Sequence, residues 1–148
     1  YLRNVDLARR MLAGELDPHL ESGTFSGQTV AEQILWSGAS GRSADIVRMA
    51  LERIEWPRDD PRWFGMLWRP LPGHEDLNDA EQADCRESFR LILERCDPNL
   101  RTRESGQTML HEVIARDHGV GVSLATMLLD AGARTDVRDE FLKSTPLG

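Results

Sequence analysis

In the stretch Gly106–His118, GQTMLHEVIARDH, His111 and Glu112 are adjacent and a second histidine, His118, follows. A helix bearing H-E-x-x-H places two imidazoles one turn apart on a metal, with the glutamate as general base. Here the residue four after His111 is Ala115, so the second ligand is missing. His118 falls about two turns on, beside Gly119 and Gly121, where a helix should have ended. The run His74–Glu81 is dense in oxygen ligands, and Asp76 and Asn78 fit the first two positions of a calcium loop. Ala80 takes the third and no glycine follows. Asn78 with Glu81 reads better as a helix-capping pair, with acids placed to offset the helix dipole. Ser, His and Asp are scattered without a G-x-S-x-G elbow. Gly23–Gly27 lacks the lysine of a phosphate-binding loop. The expectation is no catalytic residue, no metal site and no cofactor, hence no enzyme activity in these residues.

The bulk properties narrow the partners. A net charge of −7 disfavours nucleic acid, whose phosphates need an excess of Lys and Arg. No run approaches the ~18 apolar residues of a membrane span, and no secretory signal pattern opens the chain. Cys85 and Cys96 would share a face of one helix but stand about 16 Å apart, beyond disulfide reach. They are expected to be core cysteines of a cytoplasmic protein. The chain opens on Tyr1 and stops on Thr145-Pro146-Leu147-Gly148, which looks like the start of an element, so it reads as part of a longer protein.

The elements that would carry these residues show in the apolar spacing. Cys85, Phe89, Ile92, Leu93 and Cys96 form one helical stripe, and Val120, Leu124, Met127, Leu128 and Ala131 repeat its spacing. Val47, Ala50, Leu51 and Ile54, and Val5, Ala8, Met11 and Leu12, give shorter versions. Polar turns follow each helix, at Asp17-Pro18-His19, Asp97-Pro98-Asn99 and Arg134-Thr135-Asp136. Then comes a second helix-start signal: Gly27-Gln28-Thr29, Gly106-Gln107-Thr108 or Lys143-Ser144-Thr145. Thr29 with Glu32 has the form of a capping box, and Pro146 suits a first helical position.

Gly106-x-Thr108-x-Leu110-His111, with Leu128-Leu129-x-x-Gly132-Ala133 and then Thr145-Pro146-Leu147, resembles the ankyrin repeat. The likeness is clear over 97–148 and weaker over 1–96, where Gly27-x-Thr29 is followed by Val30, Ala31 and Glu32. About three extra residues sit near Ser37–Ser40. In the middle unit, Trp63-Phe64-Gly65-Met66-Leu67-Trp68 takes the place of the first helix. The resemblance implies an all-α solenoid of stacked helix-turn-helix repeats with projecting hairpin tongues, a single domain over 1–148. Its parts would be the end of a repeat at 1–16, repeats at 17–56, 57–96 (degenerate) and 97–133, and a truncated one at 134–148. Stacking lets each unit bury a stripe it cannot bury alone. The resemblance gives Gly106, Thr108, Leu110, His111, Gly132, Thr145, Pro146 and Leu147 structural roles, with His111 reaching back toward Thr108 and the helix start.

It also implies a protein-interaction scaffold. Trp56, Trp63, Phe64 and Trp68 lie close together among prolines and Arg58, Arg62 and Arg69. They read either as core filler for a malformed repeat or as an exposed anchor, since Trp and Arg dominate binding hot spots. Candidate partner contacts are Trp63, Phe64 and Trp68, with Arg101, Arg103, Glu104, Arg138, Glu140 and Phe141 on the tongues. The partner expected is another protein, held by a monomer whose cut ends could self-associate. The rival reading is a targeting arm for a catalytic domain lying outside these residues.

Overall fold

The computed structural model describes residues 6, 9–10, 24–25, 28–72, 76–115 and 120–138. Its helices come in pairs: α1 (Val30–Ser40) with α2 (Ala44–Leu51), α3 (Arg62–Trp68) with α4 (Asp79–Leu93), and α5 (Met109–Ala115) with α6 (Gly121–Asp130). The fold is all-α. Among the described residues, extended pairing is confined to a two-residue antiparallel ladder, β1 (Thr24–Phe25) with β2 (Gln28–Thr29), and a single bridge between Arg101 and Thr108. No helix of the described residues is long and apolar enough to cross a membrane.

The apolar stripes explain why the pairs stack. Val47, Ala50, Leu51 and Ile54 are buried along and just beyond α2, and Cys85, Phe89, Ile92, Leu93 and Cys96 are buried along α4 and its end. On α6, Val120, Leu124 and Leu128 are buried, Met127 is half-buried and Ala131 is exposed. These side chains join Leu35, Trp63, Met66, Leu67, Leu110 and Val113 from the first helices in one continuous core. Each first helix touches the next, α1 with α3 and α3 with α5. Each second helix does the same, α2 with α4 and α4 with α6. The pairs therefore lie side by side as two parallel rows, with the core between them. The stripe Val5, Ala8, Met11, Leu12 lies outside the described residues.

Local chemistry sets the ends of these helices. Asn78 caps α4: its side chain accepts from the Glu81 amide at 2.8 Å while Glu81 accepts from the Asn78 amide at 3.2 Å. Such reciprocal bonds satisfy two of the amides a helix start leaves open. α6 ends at Gly132, whose φ of 99° is a left-handed conformation that favours glycine. The Gly132 amide donates to the Leu129 carbonyl and the Ala133 amide to that of Leu128, closing the last turn. α1 ends the same way with Arg42 at φ 53°, its amide on Ala39 and the Ser43 amide on Gly38. Gly38 is where α1 and α2 approach most closely, for a Cβ there would lie 2.7 Å from Ile46 Cγ2. α1 has 11 residues against 7 in α3 and α5, so the extra residues near Ser37–Ser40 form its last turn.

Neighbouring pairs are also tied by arginine and asparagine. Arg95 donates to the carbonyls of Leu51 and Ile54 beyond α2, both at 2.9 Å. Arg58 donates to those of Glu94 at 3.0 Å and Cys96 at 2.9 Å beyond α4. Asn99 donates to the Gly132 carbonyl at 3.1 Å and accepts from the Arg134 amide at 2.8 Å. The bonds from Arg95, Arg58 and the Asn99 side-chain amide supply donors to carbonyls at or near a helix C-terminus, which the helix itself leaves open.

Candidate functional site

The histidine is part of a helix start. The Thr108 amide donates to His111 Nδ1 at 3.1 Å, and the Thr108 hydroxyl lies 2.9 Å from the same nitrogen. Both residues are buried. An amide donating to Nδ1 requires that nitrogen to be unprotonated, which puts the ring proton on Nε2. Among the described residues, no cluster of His, Cys, Asp and Glu comes together to hold an ion. His118 lies outside those residues. The Asn78 side chain, one of the two calcium-loop matches, is engaged in the α4 cap.

Cys85 and Cys96 are free and buried. Burial pushes the Cys96 thiol up to about 12, so it is held as the neutral thiol and is a poor nucleophile. Cys85 donates to the Pro70 carbonyl at 3.1 Å.

The tongue before α5 is built by Arg101. Its Nε donates to the Gly106 carbonyl and its Nη2 to the Arg138 carbonyl, each at 2.6 Å. Gly106 is buried at φ 65°, and the Thr102 amide donates to the Gln107 carbonyl at 2.9 Å. Arg101, expected as a partner contact, is thus committed to closing its own tongue and joining it to the segment after α6. Arg103 and Glu104 are exposed at the tip, and Arg138 is exposed as well. Glu140, Phe141, Thr145, Pro146 and Leu147 lie outside the described residues.

The aromatic group divides sharply. Trp63 is fully buried and donates from Nε1 to the Pro57 carbonyl at 2.8 Å. It meets half-buried Trp56 edge-on, centroids 4.8 Å apart. Trp56 Nε1 lies 3.3 Å from Glu32 Oε1, and the Arg62 guanidinium covers its ring at 4.3 Å. Arg62 pairs in turn with Glu32 at 3.3 Å and Asp60 at 2.9 Å, and this bonding to Arg62 holds the Asp60 carboxyl below its usual range. Trp63 is therefore core rather than the partner contact expected of it. Phe64 is half-buried and packed on the same core, which removes it as an exposed anchor.

Trp68 behaves differently. It is 40% exposed, and it is joined by a residue that the sequence pattern did not single out, Trp36 on α1, 37% exposed. Between them lies the guanidinium of Arg69, 3.4 Å from the Trp36 centroid and 5.3 Å from that of Trp68. Trp36 and Trp68 are each the seventh residue of a first helix, and the contact of α1 with α3 brings them together. The corresponding residue of α5 is Ala115, exposed beside exposed Ile114. A sequence signal for this site existed in that shared position, two tryptophans about one unit apart. This outer side of the first-helix row is the candidate site: two part-exposed indoles, a stacked cation, and no acid–base pair or bound-ion geometry.

Comparisons with protein-family models, with curated proteins and with solved structures return no match.

Proposed function

We propose that this chain is an ankyrin-type solenoid serving as a protein–protein interaction module, with the first-helix row as the gripping face and no catalysis of its own. The observation that carries the reading is the pair Trp36 and Trp68, repeated on successive first helices and left part-exposed although each has a large apolar ring. Indoles are rarely left at a surface without use and are enriched in interface hot spots. Three features support the repeat architecture: the two-row stacking, the Thr108–His111 closure at the start of α5, and the left-handed Gly132 at the end of α6. A standard interface covers about 800 Å² per partner.

The test is a photo-crosslink in the source cell, with benzoylphenylalanine replacing Trp68 in one version of the chain and Asp84, exposed on α4, in another. A discrete adduct with another protein from position 68 and none from position 84 is the expected result. Equal labelling from both positions, or none from either, overturns the reading.

A further inference from the structure

Eight of the arginines are engaged in one of two ways. Arg42, Arg58, Arg95 and Arg101 donate to backbone carbonyls. Arg48, Arg62, Arg90 and Arg134 pair with carboxylates. Arg69 is different. Its guanidinium carbon lies over two indole rings, closely on Trp36 and more distantly on Trp68, and among the described residues it has neither a carboxylate nor a carbonyl partner. Its Nε is buried without a hydrogen bond, whereas the two terminal nitrogens are not sealed off. Burial with no compensating anion also holds its pKa below the usual arginine value.

A guanidinium carries all five N–H groups in its plane. With the Trp36 ring stacked against it at 3.4 Å, the guanidinium binds a further group best along its edge, and what an edge binds best is a planar two-oxygen acceptor. The site offers one cation, and the chain as a whole has a net charge of −7. A phosphoryl group carries about −1.5 to −2 and is repelled by such a chain more than a single carboxylate is.

We infer that the Trp36–Arg69–Trp68 cluster is a carboxylate socket: it takes one Asp or Glu side chain of a partner protein, flanked by apolar residues that pack on the two indoles. This inference rests on the interaction-module reading and assigns the chemistry of the partner within it.

The probe is a random-peptide display library, selected on the full chain. Peptides recovered with the wild type carry an Asp or Glu next to apolar residues. Their affinity, read by fluorescence anisotropy, falls roughly tenfold or more with Arg69→Gln and less with Arg69→Lys, which keeps the charge and loses the fork. Replacing the peptide's acid by its amide weakens binding to the wild type by a similar factor and has little further effect on Arg69→Gln, as a directly coupled pair requires. Far-UV circular dichroism establishes that each variant is folded. Should Arg69→Gln fail to fold, the acid-to-amide change in the peptide, measured on wild type and Arg69→Lys, decides alone. Peptides that bind this face without an acid, or with a cation that displaces Arg69 from between the rings, overturn the socket and leave the interaction reading standing. If no peptide binds, both fall.

Discussion

In the pair α5–α6, the chain enters its first helix through Thr108, whose amide and hydroxyl meet His111. In α3–α4 the same entry is made by Asp60, which accepts from the Arg62 amide at 2.9 Å, and by Trp63, which donates back to Pro57. One solution is compact and polar; the other is bulky and aromatic. Both end with a seven-residue first helix touching its neighbour, as the side-by-side packing of α1, α3 and α5 requires. The difference teaches that the row, more than the local motif, dictates the helix: a segment that can fill the space between two neighbours takes the helical place offered to it. This is the behaviour expected where nearest-neighbour contacts supply most of the stability.

The largest test of that view sets Trp63 against Trp68. Trp63→Ala empties a fully buried site and is expected to destabilise the protein by about 3–5 kcal/mol. Trp68→Ala removes a part-exposed ring and one side of the Arg69 stack, an effect of about 1 kcal/mol or less. Urea unfolding measures both. Equal losses would mean that the two rings share one environment, and the division between core and face would be wrong.

Next in size is His111. His111→Ala leaves the buried Thr108 amide without its partner, which costs about 1–3 kcal/mol. The melting temperature of the purified protein should fall, with its metal content unchanged. Stoichiometric zinc or iron that disappears with the substitution would return His111 to metal chemistry and end its comparison with Asp60 and Trp63 as a helix-start device.

Much of the fold was legible because burial recurs with the helical period. The stripes through Val47–Ile54 and Cys85–Cys96 contain only buried residues at the positions read from spacing. The α4 cap was legible because Asn78 and Glu81 interact within one turn. The aromatic cluster was harder, since nearness in sequence conceals direction. Trp63 and Trp68 are five residues apart, about 140° around a helix, so one faces the core while the other faces out. That separation follows only once Arg62–Trp68 is known to be helical, and its glycine and flanking prolines argue for no particular structure. Arg69 was illegible for a different reason: it meets Trp36 through the contact of α1 with α3, a long-range event that no local pattern encodes.

A smaller effect is expected at the end of α6. Gly132 has φ 99°, and a Cβ there would meet nothing within 4 Å, so Gly132→Ala is penalised by backbone conformation alone. The expected loss is about 1–2 kcal/mol, measured by urea unfolding. No loss would show that this turn relaxes freely and that the last pair lacks the fixed end seen at α1.

The smallest net effect, and the most informative, is at the matching turn after α1. Arg42 occupies a left-handed position that favours glycine, yet its Nε donates to the Pro70 carbonyl at 2.8 Å and its Nη2 reaches that of Leu71 at 3.5 Å. Arg42→Gly relieves about 1–2 kcal/mol of backbone strain and removes charge-assisted bonds to the end of α3 of similar total strength. The two nearly cancel, leaving a net change expected to be under about 1 kcal/mol. Arg42→Lys keeps the strain and loses the forked donor, so it should be the more damaging of the two. If Arg42→Gly instead stabilises the protein by the full strain term, the bonds to Pro70 and Leu71 contribute nothing. The strain at Arg42 would then have no compensating tie, and core packing with the Arg95 and Arg62 bonds would hold the middle pair in the row.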